Sequence, residues 1–390
     1  MVSETAYFPP PESRGGWRTA TAPQAVRELA GMDASALERA WEVVAGLHAD
    51  SALLVVRHGW LCFERYQGAV TALSNPDLHS CGKAFTATAA GIVVEARPDL
   101  FPHRLEQLVY DEPYLPPQHR PVRDARRRAI RLGHLLSHTS GLRGNNGATF
   151  DARGPLTLSP AGPDGGFPDH VAFGHDSWVH QGQETTTATL WCDPGAGYSY
   201  ASAGTLIVGA MVRHLSGQEV ADFLSQRVFE PIGWEGWRWD SNPPEPDGTR
   251  HTKAQGGIRP RPRDALRFGY LHLHEGRWAG RQLVPSWYAA AMRRPAAHNP
   301  YYPHYGLQVR LNVRAPAPVE GATGEGVNAG RAAPRAPGDA YGPAGFADNY
   351  IYVVPSLDLV AVRLGRRTEA HLRQPAWHTV LEAVVAAVVD

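Results

Sequence analysis

Ser80-Cys-Gly-Lys83 sets a hydroxyl and an amine three residues apart. On a helix that spacing puts both groups on one face, on successive turns. A serine hydroxyl is a poor nucleophile until something takes its proton. An amine withdrawn from water gives up its own proton more readily and can then take the hydroxyl's. A helix start would add backbone N–H groups and a positive dipole end where an oxyanion forms. The use of basic residues points to the same place. Of 38 Lys and Arg, only Lys83 and Lys253 are lysines. Arginine holds its charge at any ordinary pH, so the two lysines are where proton chemistry is to be sought. Two lysines produce Ser-x-x-Lys by chance in about one chain in eight, so the pair needs company.

Two further stretches supply it. Leu135-Leu-Ser-His-Thr-Ser-Gly-Leu142 offers His138 as a base for a serine. A lysine already follows Ser80, so the favoured reading has His138, Thr139 and Ser140 holding a helix end and a turn. Pro194-Gly-Ala-Gly-Tyr-Ser-Tyr200-Ala-Ser-Ala-Gly204 places tyrosines on a turn that leads into a helix. A tyrosine beside the lysine could relay the serine proton to a leaving group. Without that neighbour it would be aromatic packing.

The elements that must carry these residues read as follows. Residues 1–30 are Pro- and Gly-rich, an irregular arm. Asp33 or Ser35 can cap a helix, Ser35 and Glu38 being at capping-box spacing, and Leu37, Ala40, Trp41, Val44 and Leu47 repeat at helical period. Ala52–Arg57 and Trp60–Tyr66 around His58-Gly59 form a hairpin. A helix from about Ser80 to Ala96 ends before Pro98. Short helices are expected at His134–Ser137, Thr205–Leu215 (stopped by Gly217) and Glu219–Phe229. Tyr305–Val313 reads as a strand, Tyr350–Val354 and Leu359–Leu364 as a second hairpin, and Trp377–Val389 as the closing helix. Arg143–Leu190 and Arg314–Gly342 are long and weakly patterned, which inside a compact domain marks functional or irregular chain. Strands at both ends with helices between imply an α+β fold. Its antiparallel sheet is built from residues 1–85 and 256–390, and 86–255 form a mostly helical insertion.

Ser-x-x-Lys at a helix start, then Leu-Leu-Ser-His-Thr-Ser-Gly-Leu, then Pro-Gly-x₄-Tyr-x-Ser leading into a helix, in this order, resembles the serine β-lactamase/penicillin-binding-protein superfamily. Within it the chain is most similar to the class C β-lactamase-related branch of esterases, D-aminopeptidases, 6-aminohexanoate-dimer hydrolases and natural-product acyltransferases. Gly256–Gly269 resembles the segment that returns to the sheet domain. Gly345-Phe-Ala-Asp-Asn-Tyr-Ile-Tyr-Val-Val-Pro355 resembles the third-motif strand. The resemblance implies the β-lactamase/transpeptidase-like fold, with the site between sheet and insertion. It implies Ser80 as the acylated nucleophile, Lys83 as its base, Tyr200 as the tyrosine of Tyr-x-Asn, and the N–H groups of Ser80 and Phe346 as the oxyanion hole. Two positions depart from the family pattern. Ser202 stands for the Asn of Tyr-x-Asn, and Pro343-Ala344-Gly345 for Lys/His-Thr/Ser-Gly. The second change removes the group that meets a β-lactam carboxylate. Both favour an ester or a non-lactam amide.

The expectation is therefore a cofactor-free serine hydrolase acting on a small-molecule ester or amide. An acyltransferase using the same acyl-enzyme and a silent binding protein of the same fold are the alternatives. Lys+Arg equals Asp+Glu, so net charge is zero with 18 His neutral, which gives no reason to expect nucleic acid or an anionic membrane. The basic run Arg123, Arg126, Arg127, Arg128 and Arg131 then reads as a solvated segment. His272 and His274 lack partners at metal-ligand spacing. Cys62, Cys81 and Cys192 are too scattered for a disulfide framework, and Cys81 points off the Ser80/Lys83 face. The N-terminus has neither the basic start nor the apolar core of a signal peptide, and no apolar run approaches the roughly 20 residues of a membrane helix. A cytoplasmic location is expected.

Overall fold

The computed structural model describes residues 6–117, 124–144, 149–152, 154–155, 172, 178–180, 183–185, 189–242, 248–315, 330–366 and 377–389. Most of the Arg143–Leu190 stretch, the centre of the Arg314–Gly342 excursion and Arg123 lie outside the described residues.

Two strands near the start, β1 (Asp50–Arg57) and β2 (Trp60–Gln67), form the hairpin that the His58-Gly59 turn required. Five more come from the end of the chain: β3 (Arg310–Leu311), β4 (Tyr341–Gly342), β5 (Ala344–Gly345), β6 (Asn349–Val354) and β7 (Leu359–Arg366). They form one antiparallel sheet in the order β3-β4-β6-β7-β1-β2, with β5 also pairing to β6. The junction of the two ends is the β1–β7 ladder, with Leu53 opposite Arg363 and Val56 opposite Val360.

Period-2 alternation divides this sheet between two cores. Leu54, Val56, Ile351, Val353, Val360 and Val362 face one side. They meet helix α6 (Pro262–Leu273), whose Phe268 stacks on Phe85 of α3 (Gly82–Ala96); α5 (Ser202–Ser216) packs on α3, with the short α4 (Leu132–Leu136) against α5. Leu53, Val55, Tyr350, Tyr352, Leu359 and Ala361 face the other side. There α1 (Pro23–Ala30), α2 (Ala34–Ala45) and α7 (Trp377–Val385) cover them. Every residue of α3 from Gly82 to Val94 is buried. That is the pattern of a central helix with neighbours all round, and it fixes Lys83 in the interior.

Local chemistry explains most element ends. Asp33 caps α2, its carboxylate accepting from the Ala36 amide at 2.7 Å, so the Ser35–Glu38 capping box is not the device used. Gly217 ends α5 at φ 71° with its N–H on the Arg213 carbonyl. Three expectations need correction. Residues 1–30 are not all irregular, because Pro23 sits at the first turn of α1 where its missing N–H does no harm. Tyr305–Val313 is a strand only at Arg310–Leu311, since Tyr305 folds back to bridge Arg310 and Gln308 takes a left-handed φ of 61°. Ser80 lies not within α3 but in a 3₁₀ turn, His79–Cys81, that leads directly into it. Among the described residues no helix is long and apolar enough to cross a membrane.

Candidate active site

Ser80 projects from a turn that is anchored at every residue. The Leu78 amide donates to the Ile258 carbonyl, the His79 amide to the Asp77 carboxylate, and the Cys81 amide to the Leu78 carbonyl. His79 holds a positive φ of 48°, which swings the chain into α3. The next segment of main chain presses on this turn. A Cβ on Gly82 would meet the Gly256 Cα at 2.8 Å, so glycine at 82 lets the two stretches of main chain approach. That approach delivers the Gln255 carbonyl to the lysine.

Lys83 is buried, and its Nζ lies 2.9 Å from Ser80 Oγ and 3.0 Å from the Gln255 carbonyl oxygen. Nζ also stands 5.1 Å from the centroid of the Tyr200 ring. The structure thus brings together the hydroxyl, the amine and the phenol that the sequence singled out. Among the described residues the Tyr200 hydroxyl makes no hydrogen bond. The other lysine, Lys253, is half-buried near His79 and supplies no side-chain contact to Ser80.

The second stretch works from behind. The His138 Nδ1 accepts from the Ala201 amide at 3.2 Å, so Nε2 carries the proton and donates to the Tyr305 hydroxyl at 3.2 Å. The His138 carbonyl accepts from the Ser199 amide. Burial pushes this imidazole down to about 3, so it stays neutral. Both nitrogens are engaged away from Ser80, which agrees with the reading of His138 as a structural turn residue. Its ring lies 4.5 Å from that of Tyr200 and 5.0 Å from that of Tyr305. Gln308 completes the support by donating to the Leu135 and Leu136 carbonyls. Tyr305 and Gln308 were not legible as site residues: they come from an irregular stretch more than a hundred residues after Tyr200.

Ser202 is buried at the start of α5, directly after the Tyr200 turn. Pro343 is also buried, packed with Ala84, Phe268 and Ile351 around an apolar space. It presents no charge to the site. Gly345 lies flat against the Ser80 turn, where a Cβ would come within 2.1 Å of the Leu78 carbonyl and 3.2 Å of the Cys81 amide. The ring of Phe346 meets that of His79 edge-on at 5.5 Å. Gly345 and Phe346 are therefore brought beside Ser80. Cys81 is fully buried with its Sγ donating to the Asn349 carbonyl at 3.2 Å, and burial raises its thiol far above the ordinary range. It packs as expected. Among the described residues there is no cluster of metal-ligating side chains.

The Beta-lactamase family model matches residues 43–385. Penicillin-binding protein 4 of Amycolatopsis lactamdurans is 34% identical over 106 residues, which are 27% of this chain and 22% of that protein. A proposed beta-lactamase from Bacteroides dorei superposes with a TM-score of 0.63 at 19% identity, over 92% of this chain and all of its own. A proposed 6-aminohexanoate-dimer hydrolase from Bacillus anthracis superposes at 0.61 with 16% identity, over 98% of this chain and 89% of its own. At such identities the superpositions speak for the fold, and the profile over nearly the whole chain speaks for descent. This chain belongs to the Beta-lactamase family.

Proposed function

We propose that the protein is a serine hydrolase that cleaves a small ester or non-lactam amide through an acyl-enzyme on Ser80. The observation that carries this reading is the 2.9 Å approach of the buried Lys83 Nζ to Ser80 Oγ at the mouth of α3. As a free amine, Lys83 donates one N–H to the Gln255 carbonyl and turns its lone pair to the serine hydroxyl. Oγ attacks the substrate carbonyl and passes its proton to Nζ. The tetrahedral oxyanion is met by the N–H groups of Ser80 and Phe346. The proton then moves by way of Tyr200, whose hydroxyl is uncommitted, to the departing alcohol or amine. Water, deprotonated by the same pair, releases the acid and restores Ser80. The chain's own residues supply every step, and the reading needs neither nucleic acid nor membrane as partner.

Pro343, where the family pattern has Lys or His, brings no group to meet a carboxylate, which supports substrates other than β-lactams. A fluorophosphonate should add to Ser80 by intact-mass and peptide analysis, and Ser80→Ala should take up none. A panel of p-nitrophenyl esters, short linear amides, D-amino acid amides and nitrocefin should show ester turnover at least about a thousandfold above nitrocefin, roughly 4 kcal/mol of barrier. An amine acceptor should leave the rate of donor consumption unchanged. Turnover that survives Ser80→Ala would remove the nucleophile, and nitrocefin as the best substrate would reverse the specificity.

A further inference from the structure

The loop that carries Phe346 is held in a costly conformation by a group of buried polar residues with no place in the scheme above. Ala347 and Asp348 both sit at positive φ, 60° and 57°. Neither is glycine, and a non-glycine residue is strained there unless its surroundings insist on it. The surroundings here are explicit. Arg363, buried on β7, donates from Nη1 to the Ala347 and Asp348 carbonyls at 2.7 Å each. Asn349 donates to the Phe346 carbonyl at 2.7 Å and accepts from the Gly365 amide at 3.1 Å, which ties the loop to β7. The Asp348 carboxylate, wholly buried, accepts from His48 Nε2 at 2.6 Å and from the Tyr350 hydroxyl at 3.1 Å. Gly365 makes room for this: a Cβ there would stand 2.6 Å from the Ala347 carbonyl.

Buried charge of this kind is weak support for stability and is more readily retained for geometry. The geometry it sets is local. Fixing the carbonyls of 346, 347 and 348 fixes the peptide planes that follow Phe346, and Asn349 pairs with Gly345, so the plane shared by the Gly345 carbonyl and the Phe346 N–H is held between this anchored loop and the β5–β6 ladder. On the opposite side Gly345 is already pressed against the Leu78–Cys81 turn. His48 enters from the segment between α2 and β1, three hundred residues away along the chain.

We infer that His48, Asp348 and Arg363 are positioning residues that aim the Phe346 N–H at the oxyanion site, acting from the far face of the sheet without touching substrate. The inference rests on the proposed role of Phe346. An oxyanion donor must meet the tetrahedral oxygen rather than the ground-state carbonyl, so a displacement of a fraction of an ångström falls on kcat and spares KM.

His48→Phe removes the donor, His48→Gln keeps an N–H in reach, and Asp348→Asn keeps the shape and tolerates positive φ while losing the charged acceptor. With p-nitrophenyl butyrate, His48→Phe and Asp348→Asn should lower kcat about 10- to 100-fold at nearly constant KM. Inhibition by phenylboronic acid, whose serine adduct is tetrahedral, should weaken by a similar factor. The ester-to-thionoester rate ratio should shrink, because sulfur draws little on an N–H donor. His48→Gln should recover most of the loss, and an unaltered melting curve will show that the variants are folded. If His48→Phe does not fold, Asp348→Asn against His48→Gln carries the same comparison. Wild-type kcat and boronate affinity in folded Asp348→Asn would overturn the inference alone. Failure of Ser80 to take up fluorophosphonate in the wild-type protein would instead overturn the reading beneath it.

Discussion

In the proposed reaction one wall of the site, Ser80, Lys83 and Tyr200, works with side chains, while the other, Gly345 and Phe346 with the loop to Asn349 behind them, works with main chain. The first wall turns on a short-range pair: Ser80 and Lys83 are a turn apart, and the Gln255 carbonyl and the Tyr200 ring are brought to the lysine from elsewhere in the chain. The second is assembled from afar, with His48, Arg363 and Gly365 shaping a loop whose own residues are chemically plain. A side-chain wall can be broken by changing one functional group. A main-chain wall is broken by whatever moves the peptide planes.

The largest effect is expected on the side-chain wall. Lys83→Arg keeps a long basic side chain but supplies an obligate cation that cannot accept the serine proton. General-base catalysis contributes typically 10²–10⁴-fold, so kcat/KM should fall by about a thousandfold, nearly as far as in Lys83→Ala. A stopped-flow measurement of the acylation burst checks it. A burst of wild-type rate in the arginine protein would mean that charge, not proton transfer, is what this position provides.

The matching test of the other wall is Gly345→Ala. The added methyl would meet the Leu78 carbonyl at 2.1 Å, and backbone cannot swing aside as a long side chain can. The two walls must part there, which should take about a hundredfold from kcat/KM and a few degrees from the melting midpoint. Comparable loss of both acylation and boronate binding would show main-chain geometry at work. Full activity would show that the loop needs no close contact with the nucleophile turn.

What the sequence made legible divides along the same line. Residue type and spacing singled out Ser80, Lys83 and the turn bearing Tyr200, and apolar runs flanking turn residues sufficed for β1, β2, β6 and β7, because those signals are local. The strand expected at Tyr305–Val313 shrank to two residues because positive φ at Gln308 follows from its hydrogen bonds to the Leu135 and Leu136 carbonyls, far away in sequence. The supports of Tyr200 by His138 and Tyr305, and of the 346–348 loop by His48 and Arg363, have no local signature at all. A buried histidine reads the same in any sequence until its partner is known.

The smallest expected effect uses a residue that belongs to neither wall. Asp264 is buried in α6, and burial raises its carboxyl to about 7 while the Gly236 amide donates to it. In the unfolded chain the same group titrates near 3.9. Between those values the folded protein holds a proton that the unfolded chain releases, so Asp264 lowers stability progressively as pH rises from about 4 to 7 and no further above that. Asp264→Asn removes the titration and keeps an acceptor for the amide. The difference in melting midpoint between the two proteins should be small at pH 4.5 and grow in favour of Asp264→Asn by pH 7.5. The pH dependence of kcat/KM, governed by the Ser80 wall, should keep its shape. Parallel melting curves would place the Asp264 proton elsewhere. A displaced rate profile would show that the catalytic walls sense a charge lodged in the interior, and the division drawn between them and the rest of the fold would have to be redrawn.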